Sequence, residues 1–388
     1  MKFSPLIERI SGEGADAWQT HYQASAARDR GEDVIILSVG DPDLETPAPV
    51  VARLIERVQS GDTHYCPAAG RTTVRQAIAD FHQRRTGQVT GPENVVFLSG
   101  AQNALFVTAM CISGPGDEII SFDPMYPTYP ATLQASGARM IRAPTTPDFR
   151  PDLSVLPALI TERTRAIAYA TPNNPSGVFL NESELAILGE LAQKHDLWLV
   201  SDEVYAGLAP EGRIPTLSSR LPERVVTLGS LSKSHAMTGW RAGWLVGPRE
   251  LAIHAESLVM CMLFGLPGFI QEAAITALSI APQAEQRIRD YCDLRRRRMV
   301  AALAGIPRIA TVVPQAGMFM LVDVRPTGLS GFQFMRALYE SERVSVLDGA
   351  AFGRETAGFV RVCFATDERS IDTGCARIRR FCERLTKT

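Results

Sequence analysis

Four lysines stand among the 40 basic residues of the 388-residue chain: Lys2, Lys194, Lys233 and Lys387, the remainder being arginine. Lys2 and Lys387 are terminal, and Lys194 lies in Gln193-Lys194-His195-Asp196, which reads as an exposed helix end. Lys233 differs by its place. It sits in Leu228-Gly229-Ser230-Leu231-Ser232-Lys233-Ser234-His235, directly after the apolar run Val225 to Leu228. A primary amine does what a guanidinium cannot: it condenses with a carbonyl to give an imine, and it can then carry a proton. A chain that otherwise uses arginine almost wherever a cation serves keeps an amine at this strand end.

The elements around Lys233 follow one pattern. Short apolar runs at Val95–Leu98, Glu118–Phe122, Ala166–Ala170, Leu197–Ser201, Val225–Leu228 and Gly243–Gly247 alternate with longer amphipathic stretches, as in a mainly parallel α/β sheet. Ligands of such sheets lie beyond the carboxyl ends of the strands, where this chain places Gly, Pro, Ser, Asp and Asn. Ser99-Gly100-Ala101-Gln102, after the first run, is a glycine turn opening a helix, and such a turn offers free amides to an anion. It lacks both the G-x-G-x-x-G of a dinucleotide site and the Gly-Lys-Ser/Thr of a P-loop. Beyond Leu266-Pro267 a long helical stretch carries Arg295 to Arg298, which reads as a solvated face, and then an α+β pattern with strands near Gly317–Asp323 and Gly358–Val362. The length favours two domains. The expected division is an N-terminal segment, 1–45, packing with the small domain, a large domain at 46–285, and a small domain at 286–388.

In order, these strand ends resemble the fold-type I aminotransferases that use pyridoxal 5'-phosphate, over nearly the whole chain. The motifs carrying the resemblance are Ser230-Leu231-Ser232-Lys233 with Arg241 eight residues on, Asn173-Asn174-Pro175-Ser176-Gly177, and Ser201-Asp202-Glu203-Val204-Tyr205. The resemblance implies a mainly parallel seven-stranded sheet in an α-β-α sandwich plus a smaller α+β domain. It implies Lys233 as the amine that holds the cofactor and shuttles the proton, and Asp202 as the carboxylate that keeps the ring nitrogen protonated. A helix cap is the plainer reading of Asp202 taken alone, and a turn that of Asn174-Pro175-Ser176-Gly177. Tyr205 and Asn174 would hydrogen-bond the ring hydroxyl, and Tyr126 would stack on the ring. Gly100, the amides of Ala101 and Gln102, Ser230, Ser232 and Arg241 would cup the phosphate. Arg361 would clamp the substrate carboxylate, with Gly40 closing over it. Tyr65 matches a residue that reaches the neighbour's phosphate across a dimer, which implies a homodimer with shared sites.

The run Ser232–Arg241, with Cys261–Gly265 and Asp323–Ser330, resembles arginine:pyruvate transaminases more than the aspartate, aromatic or kynurenine branches. The expected reaction moves the α-amino group of an L-amino acid, with L-arginine as the leading candidate, to a 2-oxo acid such as pyruvate. The alternatives are an aminotransferase with an aspartate-, aromatic- or kynurenine-type substrate, a related lyase, a ligand sensor and a hydride-transfer enzyme. No acidic residue is marked by its motif as the partner of a guanidinium, and Asp16 and Glu45 are the candidates near the N-terminal segment. A net charge of -2 does not fit a nucleic-acid binder. The longest apolar stretch, Leu258 to Ile270, is broken by Gly265, Pro267 and Gly268 and is too short for a membrane span. The N-terminus has no signal-peptide pattern, so a cytoplasmic protein is expected. Seven cysteines without a C-x-x-C pair suggest neither disulfides nor a metal site.

Overall fold

A computed structural model of the chain describes residues 1–10 and 18–385. In chain order the strands are β1 (Ile35–Ile36), β2 (Val95–Leu98), β3 (Glu118–Phe122), β4 (Arg139–Ala143), β5 (Thr164–Ala170), β6 (Trp198–Asp202), β7 (Val225–Ser230), β8 (Gly243–Val246), β9 (Ala310–Val312), β10 (Phe319–Asp323), β11 (Val344–Ser345), β12 (Leu347–Asp348) and β13 (Phe359–Cys363). Seven form one sheet in the order β2-β8-β7-β6-β5-β3-β4, and four form an antiparallel sheet in the order β12-β13-β10-β9. The large sheet is parallel except for β8, which runs antiparallel to both neighbours.

Burial on both faces explains the continuous apolar strands. On β5, Ala166 and Ala168 pack into the cluster holding Leu105, Val200 and Val226, while Ile167 and Tyr169 point into the opposite one, with Leu188, Leu199 and Val225. The antiparallel sheet has its own core, in which Met320, Val322, Val360 and Val362 meet Phe334 and Phe381. Near the N-terminus, Ile35 and Ile36 pair in parallel with Val344 and Ser345.

The six expected strands of the large sheet are present, as are those near Gly317 and Gly358. The sequence reading passed over β4, because this edge strand reads Arg-Met-Ile-Arg-Ala and is not an apolar run. Its Arg139 pairs with the buried Glu118 at 2.6 Å. The Arg295–Arg298 run also departs from expectation. It lies on the helix Ala281–Leu303, but it is not simply a solvated face. The Arg295 guanidinium lies 3.7 Å from the Tyr291 ring centroid, its Nε donates to the Thr366 carbonyl, and Arg298 pairs with Asp372 and Glu368 on the C-terminal helix. The run ties two helices together.

Strand register fixes the functional end of the sheet. Ala170 is opposite Asp202, Asp202 opposite Leu228, and Ser230 opposite Gly243. Since Leu98 is also opposite Gly243, the turn after β2, the lysine turn after β7 and the start of β8 meet at one edge. Only a residue without a side chain fits there: a Cβ on Gly243 would lie 2.6 Å from Gly100 Cα.

Candidate active site

A cavity of about 360 Å³ opens at that edge and reaches the antiparallel sheet. Its wall includes Gly40, Ala101, Gln102, Tyr126, Asn174, Asp202, Tyr205, Ser230, Ser232, Lys233, Arg241 and Arg361. Gly100 stands just behind, capping the helix Ala101–Ile112 with φ at +83°. A Cβ there would meet the Arg241 guanidinium at 2.5 Å. Tyr65 is the exception. It is 87% exposed, lies outside this wall, and packs edge-on against Phe264 with centroids 4.9 Å apart. Glu45 is exposed and does not line the cavity, and Asp16 lies outside the described residues.

Lys233 lies in the single helical turn Leu231–Ser234, capped by Ser230, whose Oγ accepts the Ser232 N–H. Its Nζ donates to the Gly40 carbonyl at 2.5 Å, and burial lowers its pKa to about 8. Asp202 ends β6. Its Oδ1 accepts the Val204 N–H at 3.1 Å, which is the turn-capping role, and its Oδ2 accepts the Tyr129 hydroxyl at 2.6 Å. Burial raises its pKa, while both hydrogen bonds oppose that shift. Burial also keeps the Tyr205 phenol protonated well above the ordinary range.

Arg361, on β13, is 1% exposed. It donates to Asn174 Oδ1 at 2.9 Å and to the Ser38 carbonyl at 2.6 Å, and its guanidinium lies 3.8 Å from the Phe319 ring centroid. Its buried Nε has no partner. Burial lowers its pKa. No carboxylate among the described residues pairs with Arg361 or Lys233, so two largely buried cations face one cavity without a counter-ion. That arrangement is costly unless an anion enters.

Arg241 sits at φ +54° and donates to the Thr238 carbonyl at 2.7 Å, which brings its fork beside the Ser99–Gly100 turn. With the amides opening the helix at Ala101 and the Ser230 and Ser232 hydroxyls, it makes a second concentration of donors for an anion. Sequence reasoning missed Tyr129, Trp18, Phe319 and Thr238, all in the wall. Tyr129 follows Tyr126 by three residues, a spacing that could have drawn attention. Trp18 stands in a segment with no motif.

The family model for aminotransferase class I and II matches residues 32–378. The arginine–pyruvate transaminase of Pseudomonas aeruginosa is 45% identical over 382 residues, covering 97% of each chain. The aspartate aminotransferase of Bacillus subtilis is 30% identical, covering 93% of this chain and 94% of its own. Among solved structures, a single mutant of Thermus thermophilus aspartate aminotransferase superposes with a TM-score of 0.92 at 29% identity, covering 98% of this chain and 99% of its own. With lysine, aspartate and arginine brought to one cavity on this fold, the chain belongs to the aminotransferase class I and II family.

Proposed function

We propose that this aminotransferase binds pyridoxal 5'-phosphate through Lys233 and moves the α-amino group of L-arginine to a 2-oxo acid such as pyruvate. The observation that carries the reading is the pair of cations, Lys233 and Arg361, facing one cavity whose lining includes a single carboxylate, Asp202. The family is pyridoxal-phosphate dependent, and the residues present fit that group. The donors around Arg241 suit a phosphate, the unmatched Arg361 suits a carboxylate, and Asp202 suits a ring nitrogen that must stay protonated. When bound, the cofactor supplies an electron sink that makes the α-proton of an amino acid removable.

The residues divide the work. Arg361, oriented by Asn174 and the Ser38 carbonyl, holds the substrate carboxylate. Lys233, with a pKa near 8, is neutral often enough to take the α-proton and basic enough to return it. Tyr129 steadies Asp202, Tyr205 and Asn174 offer donors to the ring oxygen, and Tyr126 supplies a flat face. Gly40 places its carbonyl against the amine and leaves room for Phe319: a Cβ on Gly40 would lie 2.2 Å from that ring. We further propose a homodimer in which Tyr65 of one protomer serves the phosphate of its partner, acting in the cytoplasm. Among the described residues no helix is long and apolar enough to cross a membrane.

The arginine assignment rests on the Pseudomonas aeruginosa relative together with the local motifs. It is tested by the absorption of purified protein carrying added cofactor, followed as single amino acids are supplied without any oxo acid. The expected result is conversion to the aminated cofactor, fastest with L-arginine. Faster conversion by another amino acid would overturn the substrate, and conversion by none would overturn the reaction.

A further inference from the structure

Once the groups assigned to cofactor and carboxylate are set aside, with Phe319 lying under the Arg361 guanidinium, the rest of the cavity wall is Trp18, Thr128, Thr238 and the aliphatic Val39, Leu105, Ala170 and Val204. None carries a charge, and the nearby Asp41, which does not line the cavity, is held by the Thr238 hydroxyl at 2.6 Å. Asp202, the carboxylate of this lining, is already held by Tyr129 and the Val204 amide, and Lys233, Arg241 and Arg361 make the interior repel a cation. A guanidinium on the substrate side chain therefore needs a neutral surface away from these three. Of these groups, an indole face attracts a cation most strongly, through its ring quadrupole, and guanidinium stacks on it well.

Trp18 is also held in place. It precedes the helix Gln19–Asp29, and His21, one turn on, packs edge-to-face on it with centroids 5.6 Å apart. His21 Nδ1 lies 2.8 Å from Ser38 Oγ, and the Ser38 carbonyl accepts from Arg361. The indole is thus linked through one histidine to the residue that orients the carboxylate clamp. Burial, Arg28 and Arg361 all lower the His21 pKa, so a neutral ring sits beside the indole near pH 7.

We propose that Trp18 is the specificity-determining residue for the substrate side chain, selecting a guanidinium by stacking and cation–π attraction in place of an ion pair. This rests on the arginine reading above. The test compares kcat/KM for L-arginine, L-citrulline and L-alanine in the cofactor-loaded wild type, Trp18→Phe and Trp18→Leu, with the dissociation constant for arginine read from cofactor absorption. Citrulline keeps the length and shape of arginine but carries no charge. The expected result in Trp18→Leu is a roughly tenfold fall in the arginine-to-citrulline and arginine-to-alanine ratios, with matching weaker arginine binding. Trp18→Phe should recover most of both. Ratios unchanged in Trp18→Leu would overturn the proposal, as would an equal fall for all three substrates. A fall in the ratios with Asp16→Asn in place of Trp18→Leu would also overturn it, in favour of an ion pair. A wild type that converts alanine but not arginine would overturn the arginine reading itself, whereas one that converts no amino acid would overturn the transaminase reading.

Discussion

Burial of an amine in a cavity with two arginines makes Lys233 a strained base before any ligand arrives. Its pKa of about 8 lies below that of an exposed lysine, so between pH 8 and the ordinary value the unfolded chain binds more protons than the folded one. Stability of the cofactor-free protein should therefore rise as pH increases through that window, by at most about 3 kcal/mol at 1.36 kcal/mol per unit. Below pH 8 the cost of the buried charge is present in full. Lys233→Met removes the group, so its denaturation midpoint should exceed the wild type's at pH 7 and the difference should shrink toward pH 10. Equal pH dependence in the two proteins would contradict this. Lys233→Ala should also lose the bound chromophore and transamination together, and an active, coloured variant would remove the lysine from the mechanism. Tyr129 offers a different test at this scale. Its hydroxyl is one of two donors holding the Asp202 carboxylate, and a hydrogen bond to a charged group contributes about 1.5–3 kcal/mol. Tyr129→Phe should weaken cofactor binding by roughly tenfold or more in an absorption titration while leaving the fold intact, and unchanged affinity would make the tyrosine incidental.

The meeting of three elements at Gly243 governs whether the donors around Arg241 exist at all. A Cβ at Gly243 would meet the backbone of Gly100 and the Ala101 nitrogen, which cannot swing aside as a side chain would. Gly243→Ala should force β8 away from the turn at Gly100, destabilising the protein by about 1–3 kcal/mol through overpacking. Cofactor affinity should fall more than thermal stability does, and a variant with normal affinity would show that the turn has slack. This close approach was not legible in the sequence, since a glycine opening a strand looks like any other boundary. What was legible shares a physical cause: strands buried on both faces must be apolar runs, and the residues that end them must be polar. Lys233 could be picked out for that reason and for the scarcity of lysine, whereas Asp202 and Asn174 took their roles from the family resemblance, a cap and a turn being their plainer readings. Trp18 could not, because it precedes the first motif, and Tyr129, on a short helix with no charge pattern, offered only its spacing from Tyr126. β4 was hidden because an edge strand may carry arginines where a central one may not. The arginine run on the helix Ala281–Leu303 misled in the opposite direction, since its partners lie some 70 residues away on the C-terminal helix.

Among the exposed apolar side chains of the described residues, one group gathers around Tyr65. Tyr65 and Phe264 stack on each other at the surface, and Met262 and Leu263 adjoin Phe264 in the chain. Ile55 and Val58 are exposed on the helix that leads toward Tyr65. Apolar groups grouped at a surface mark an association site, and a symmetric pair of chains would cover them. Under the proposed dimer the same association completes the cofactor site through Tyr65, so assembly and cofactor affinity must fall together when the patch is spoiled. Phe264→Glu buries a charge in the contact and should give monomers in sedimentation equilibrium, with cofactor affinity reduced at least tenfold. Tyr65→Phe keeps the apolar ring and removes only the hydroxyl, so it should remain dimeric and lose a smaller part of that affinity, about one hydrogen bond to an anion. Monomeric Phe264→Glu that binds cofactor as the wild type does would separate the patch from the site. Wild-type protein that sediments as a monomer while binding cofactor tightly would remove the dimer from the account, leaving the phosphate to Arg241, the serines and the helix amides of its own chain.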